Sequence, residues 1–258
     1  VTGFQDHFSA RSAGYAAFRP RYPAELFEWL AAVAPGRELA WDCATGNGQA
    51  AAGLAAWFAR VIATDASEAQ VRRAEPLPNV EYRVARGEAS GLAAGSVDLI
   101  TVAQALHWLD RPLFFAEAIR VARAAGILAV WSYRLATVSP AIDRLIHRFY
   151  SETVGPYWPA DRALVEQGYR TITLPGAELS PPRFAMTAEW TFDHMVGYLR
   201  TWSAVGRYRD ATGTDPVTPF AAELAVEWGS ASSPRRVTWP LAVRATRLDG
   251  ETGPFAAA

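Results

Sequence analysis

Leu39-Ala-Trp-Asp-Cys-Ala-Thr-Gly-Asn-Gly-Gln-Ala-Ala51 decides how the rest of this 258-residue chain is read. An apolar run ends at Asp42 and breaks into a turn carrying Gly46 and Gly48. It resumes as Ala50-Ala-Ala-Gly-Leu-Ala-Ala-Trp-Phe-Ala-Arg60, rich in strong helix formers. A strand, a glycine turn and a helix in that order gather backbone N–H groups and a helix N-terminus around a ligand. Glycine matters in such a turn because a ligand reaches the backbone closely only where no Cβ intervenes.

Outward from this stretch the elements alternate. Ala24 to Ala32 reads as a helix with Leu26, Phe27 and Leu30 on one side. Val61–Asp65 reads as a strand, Ser67–Ala74 as a helix, Val80–Ala85 and Val97–Ala103 as strands, Pro112–Arg123 as a helix and Gly126–Tyr133 as a fifth strand. Alternation at this spacing predicts an α/β fold, a doubly wound, mostly parallel sheet that binds ligands beyond its strands' C-terminal ends. After Tyr133 the rhythm changes. Pro140–Ser151 reads as helical, a proline-punctuated stretch follows, and Phe192–Tyr208 reads as one aromatic-rich helix. Val237–Thr246 reads as a last strand, with Pro240 better suited to an edge. The expected layout is a single domain: cap 1–35, ligand-binding core 36–135, substrate-side insertion 136–236, final strand 237–248, and a tail 249–258 polar enough to be disordered.

Composition narrows the function. The net charge is −1, every one of the 25 basic residues is Arg, and no basic run occurs, so neither nucleic acid nor a membrane surface is an expected partner. The lone Cys43 excludes an internal disulfide and suits a reducing compartment. His7, His107, His147 and His194 lack metal-ligand spacing, so no metal is expected. No run approaches the ~18 apolar residues needed to span a bilayer. With no signal peptide visible, a cytoplasmic protein is expected.

Two ligand chemistries compete at the glycine turn. Gly46, Gly48 and Ala51 satisfy the dinucleotide fingerprint G-x-G-x-x-G/A, which leaves a nicotinamide-dependent reductase open. Asp42, four residues before Gly46, is not part of that fingerprint, and no Tyr-x-x-x-Lys motif follows. The stretch instead resembles the D-x-G-x-G-x-G signature of class I methyltransferases that use S-adenosylmethionine, with Ala44 standing where the family has its first glycine. Three further segments agree in order. Asp65 closes the second strand. Arg86-Gly-Glu-Ala-Ser-Gly-Leu92 resembles the G-D-A-x-x-L-P segment. Gly95-Ser-Val-Asp-Leu-Ile-Thr-Val-Ala-Gln-Ala-Leu-His-Trp-Leu-Asp110 resembles the fourth strand and loop of small-molecule methyltransferases. Tyr15–Pro23 resembles the cap of the trans-aconitate methyltransferase-like, or type 11, subgroup.

The resemblance implies a seven-stranded Rossmann-like methyltransferase fold with S-adenosylmethionine as cofactor and S-adenosylhomocysteine as product. It implies cofactor contacts from Asp42, Ala44, Thr45, Gly46, Asn47, Gly48 and Ala66. Asp65 would take the ribose hydroxyls, the alternative being a surface Asp before a helix. Glu88 would take the adenine amino group and the Ala89 N–H a ring nitrogen, with Ala103 and Gln104 nearby. Tyr15 and Arg19 would take the cofactor carboxylate, with Phe8 and Tyr22 as wall residues. Arg suits a carboxylate because its planar fork binds both oxygens.

His107 is the candidate base, since imidazole accepts protons near neutrality. It could equally be a positioning residue, because a pre-ionised oxygen needs no base. Substrate candidates are Trp108, Trp158, Tyr198, Trp202 and Arg207. The acceptor is expected to be a small molecule methylated on oxygen, as carboxylate or hydroxyl. The segment Ala103–Trp108 lacks the N/D-P-P-Y/F motif of nucleobase and amide-nitrogen methyltransferases. A module that binds the cofactor without turning it over is the remaining alternative.

Overall fold

The computed structural model describes residues 18–248. Its central strands are β1 (Leu39–Cys43), β2 (Arg60–Asp65), β3 (Val80–Val84), β4 (Val97–Ala103) and β5 (Ala122–Tyr133), all parallel. With β6 (Ala177–Leu179), β7 (Ala185–Trp190) and β8 (Arg235–Leu248), the sheet order is β3-β2-β1-β4-β5-β8-β6. β8 runs antiparallel to β5 and β6, and β7 pairs with the first half of β8. The chain reverses its direction of strand addition between β1 and β4, the crevice where open α/β sheets bind ligands.

β1 and β4 are buried along nearly their whole length. Strands covered on both faces read as continuous apolar runs, which is why they were visible in the sequence. Their side chains alternate between two cores. Trp41, Cys43, Ile100, Val102, Leu128 and Val130 pack with Phe114 and Phe115 of α4 (Arg111–Val121). Ala40, Leu99, Ile127, Ala129 and Trp131 pack with Leu26, Phe27 and Leu30 of α1 (Ala24–Val33) and Leu54 of α2 (Gln49–Leu54).

A third core, rich in aromatics, joins α5 (Pro140–Arg148), α7 (Phe192–Arg200), α8 (Ser203–Thr212), α9 (Val217–Trp228) and β7. Between them lie the short α6 (Arg162–Glu166) and, after β2, α3 (Glu68–Val71).

The structure differs from the sequence expectation after Tyr133. β6 and β7 fall in the stretch read as aperiodic, and α9 was not anticipated. The single helix expected over Phe192–Tyr208 is two helices, broken where Trp202 turns extended (ψ 134°) and buries its ring. Pro240 pairs only with Ala185, and the β5 ladder begins one residue later at Leu241, so no ladder hydrogen bond is lost there.

Candidate functional site

The glycine turn is held from beneath. The Asp42 carboxylate is fully buried and accepts three hydrogen bonds: Thr45 Oγ1 at 2.5 Å and Ala51 N–H at 3.1 Å on one oxygen, Thr101 Oγ1 at 2.8 Å on the other. Asp42 therefore ties β1, β4, the turn and the start of α2 together. Burial is the main reason its carboxyl is pushed up to about 6. Thr45 is buried with it.

Above this fastening the backbone of the turn is left-handed at Ala44 (φ 54°), Gly46 (φ 59°) and Gly48 (φ 87°). Ala44 thus keeps a conformation suited to glycine, at a cost of roughly 1–2 kcal/mol for its Cβ. The two glycines differ in what surrounds them. A Cβ on Gly46 would meet nothing within 4 Å, whereas one on Gly48 would lie 2.5 Å from the Tyr82 hydroxyl. Gly46 and Asn47 are half-buried and Gly48 is buried. Gly46 is the glycine that opens the turn, and Gly48 is packed against β3.

Asp65, at the end of β2, accepts the Gly46 N–H (2.9 Å) on one oxygen and the Ser67 N–H (2.8 Å) on the other, with Ala66 half-buried between. Glu88 reaches the same edge. It accepts the Asp110 N–H at 3.0 Å and Arg86 Nε at 3.3 Å. The Ala89 N–H closes the turn on Arg86 O at 3.1 Å, so the loop itself uses the donor that the resemblance assigned to a ring nitrogen. Sequence reasoning missed what holds this loop. Buried Glu117 accepts both the N–H (2.9 Å) and the hydroxyl (2.5 Å) of Ser90, and Arg120 beside it holds its carboxyl down at about 2.

At the end of β4, Ala103 is half-buried and Gln104 takes φ 58°. Its amide exchanges two 3.2 Å hydrogen bonds with the Tyr133 backbone, splicing β4 to β5.

A short helical turn, Leu106–Trp108, follows. His107 Nδ1 lies 2.9 Å from the hydroxyl of buried Tyr169, and the Trp108 ring, partly exposed, is 4.6 Å from the imidazole. Burial first, then the positive charges of Arg162 and Arg111, push the imidazole down to about 3. A ring held neutral at that level is a weak proton acceptor, so the environment argues against His107 as a general base.

Arg19 stands at the end of β5. It donates to the Tyr133 hydroxyl at 2.9 Å and lies 5.2 Å from the Tyr198 ring centroid. Tyr22 packs edge-on to Trp131. Tyr198 and Trp202 are buried in the aromatic core, the Tyr198 hydroxyl accepting Trp239 Nε1 at 3.3 Å. Both help form the wall behind Arg19 rather than an open surface. Trp158 is half-buried beside Trp202, 5.7 Å between rings. Among the described residues, half-buried Arg207 has no hydrogen bond, ion pair or ring contact joining it to this cluster. Tyr15 and Phe8 lie outside the described residues, and no metal-binding group of side chains occurs among those described.

Residues 41–130 match the family profile described as a methyltransferase domain. A Dictyostelium discoideum protein assigned as a methyltransferase is 36% identical over 83% of this chain and 83% of its own. A solved structure from Anaeromyxobacter dehalogenans, assigned as a type II methyltransferase, is 46% identical, covers 89% of this chain and 98% of that one, and superposes with a TM-score of 0.85. This chain belongs to the class I S-adenosylmethionine-dependent methyltransferases. A Saccharomyces cerevisiae protein assigned to the same cofactor is 30% identical over 47% of this chain and 45% of its own.

As a methyltransferase, the chain catalyses methyl transfer from S-adenosylmethionine, and the strand-end crevice suits that cofactor. The open backbone at Gly46, the carboxylate at Asp65 and the guanidinium at Arg19 lie at the C-terminal ends of β1, β2 and β5. No helix among the described residues is long and apolar enough to cross a membrane. Arg162 and Tyr169, which frame His107, were not singled out in the sequence. Their significance comes from packing against elements far away along the chain.

Proposed function

We propose that this methyltransferase methylates an oxygen that arrives already ionised, a carboxylate on a small organic acceptor, in the manner of the trans-aconitate methyltransferase-like subgroup. The observation that carries the reading is His107. The imidazole at the mouth of the site is held neutral by burial and two guanidiniums, so a route that relies on it to remove a proton is disfavoured. A carboxylate needs no such step, being ionised near neutral pH. Residues 1–35 would cap the site, 36–135 hold the cofactor and 136–236 shape the acceptor side of a single domain.

In this reading Asp65 takes the ribose hydroxyls, the backbone at Ala44–Gly48 receives the cofactor closely, Glu88 and Ala66 border the adenine, and Arg19 with Tyr15 takes the cofactor carboxylate. The cofactor's sulfonium supplies an electrophilic methyl group. What the protein adds is alignment of the acceptor oxygen with the methyl-sulfur bond and exclusion of water, worth several kcal/mol of the barrier.

Two measurements test this. Asp65→Ala removes charge-assisted hydrogen bonds worth roughly 1.5–3 kcal/mol, so calorimetry should show S-adenosylhomocysteine binding about ten- to a hundredfold more weakly. Unchanged affinity in a variant that melts normally would remove Asp65 from the cofactor site. The acceptor is tested by S-adenosylhomocysteine release with carboxylic acids and phenols between pH 6 and 8. Neither a monocarboxylic acid nor His107 titrates in that window, and Asp42, pushed up to about 6, titrates only at its lower edge, so kcat with acids should be flat from pH 7 to 8. Turnover confined to phenols and rising with pH would show that a proton must be removed, and would overturn the carboxylate reading.

A further inference from the structure

Several arginines of this surface sit on carboxylates: Arg60 on Glu81, Arg120 on Glu117, Arg123 on Asp98, Arg209 on Asp215. Arg162 is placed differently. Its Cζ lies 4.7 Å from the Trp158 ring centroid and 5.6 Å from that of Tyr150. Its Nε donates to the Tyr150 hydroxyl at 2.9 Å, and that hydroxyl donates in turn to Glu166. Glu166 follows Arg162 by four residues on α6, the spacing of an ordinary helical ion pair. Here the Tyr150 hydroxyl stands between them instead. Trp158 is itself fixed, its Nε1 donating to Tyr150 O at 3.2 Å.

The guanidinium is thus oriented on one side and unspent on the other. With Nε taken by Tyr150, the two terminal nitrogens make no hydrogen bond or ion pair among the described residues. They form the end-on fork that matches both oxygens of a carboxylate. The group is close enough to His107 for its charge to help hold the imidazole neutral, and Arg111 acts in the same direction. Glu166 is held off behind the Tyr150 hydroxyl, and the charges that act on the His107 ring, those of Arg162 and Arg111, are both positive.

We infer that Arg162, fixed by Tyr150 and Trp158, recognises the negative charge of the acceptor and sets the preference for an acid over its uncharged analogue. The inference rests on the acceptor reading above and replaces Arg207 as the cationic contact.

The test uses the whole protein loaded with S-adenosylhomocysteine for binding and with S-adenosylmethionine for turnover. The probes are a panel of mono-, di- and tricarboxylic acids, each paired with its primary amide. At least one acid should bind and be methylated while its amide binds about tenfold or more weakly. Arg162→Gln should raise that acid's Kd and KM about ten- to a hundredfold, with KM rising more than kcat falls, and should bring the acid-to-amide ratio toward one. Arg162→Lys should recover part of the loss, since it restores charge but not the fork. S-adenosylhomocysteine affinity should be unchanged in both variants. Acids methylated equally well by wild type and Arg162→Gln would overturn the role of Arg162 and leave the acceptor reading standing. Methylation of uncharged acceptors with no acid bound would overturn both. A purely structural role would lower the melting temperature of both variants alike and leave the acid-to-amide ratio where it was.

Discussion

Asp42→Ala should fall about 2 kcal/mol below Asp42→Asn in unfolding free energy, because asparagine keeps an acceptor oxygen for two of the three inward donors, at roughly 1 kcal/mol each, and alanine keeps none. The donors are the hydroxyls of Thr45 and Thr101 and the N–H of Ala51. Asparagine keeps the shape and an acceptor oxygen, so the comparison isolates the hydrogen bonds from the charge. The charge has its own signature. Burial raises the Asp42 carboxyl from its ordinary 3.8 to about 6 in the folded protein. Between those values the folded state holds a proton that the unfolded state releases. Stability from this group is therefore fully present below about pH 4 and is lost as pH rises through about 6, a change on the order of 3 kcal/mol. Asp42→Asn removes this titration. Urea denaturation at several pH values from 4 to 7 should show its stability falling less steeply with pH than that of wild type. Parallel pH profiles would mean that Asp42 does not titrate as its burial implies. Near-equal stability of the Ala and Asn variants would mean that the turn does not depend on this carboxylate.

Asp42 also shows how far the sequence could be read. Its place at a strand end before two glycines was legible, because a doubly covered strand leaves an apolar run and a glycine turn punctuates it. Its direction was not. The same residue at the same strand end could have faced a ligand or supported the turn from below, and only full burial with three donors distinguishes the two. Gln104 is a parallel case, an amide at a strand end whose partners are the backbone of the neighbouring strand. The region after Tyr133 was harder for another reason. β6 is three residues long and β7 is Ala-Met-Thr-Ala-Glu-Trp, which has no β-branched run or clear apolar alternation to mark it after Pro181-Pro182. The break at Trp202 comes from the burial of one ring in a core that draws on four helices and β7, which local periodicity does not record. Arg162 was invisible in the same way. Nothing within α6 says that its guanidinium lies on Trp158 and Tyr150 rather than on Glu166.

Gly46 and Gly48 should respond to substitution in opposite ways, although they are two residues apart in one left-handed turn. Backbone strain is common to both, at roughly 1–2 kcal/mol for any Cβ. The difference is the space each faces. At Gly46 nothing lies within 4 Å of the position a Cβ would take. Gly46→Leu should therefore fold with only the strain penalty, while its side chain occupies the space proposed for the cofactor. Calorimetry should find S-adenosylhomocysteine binding weakened beyond the range of the Asp65→Ala variant. At Gly48 the new Cβ would lie 2.5 Å from the Tyr82 hydroxyl and 3.0 Å from its Cε1. Gly48→Ala should lose about 1–3 kcal/mol to overpacking in addition to the strain. The Tyr82 hydroxyl is buried without a hydrogen-bond partner, so removing it costs little and takes away the nearest clashing atom. Gly48→Ala with Tyr82→Phe should accordingly recover part of the stability lost by Gly48→Ala alone. Wild-type cofactor affinity in Gly46→Leu would make the turn a structural feature with the ligand elsewhere. Full stability in Gly48→Ala would mean that Tyr82 does not rest on the turn. If both glycines hold to expectation, one turn serves two ends: its second glycine lets β3 close over the sheet, and its first keeps the crevice open for the cofactor.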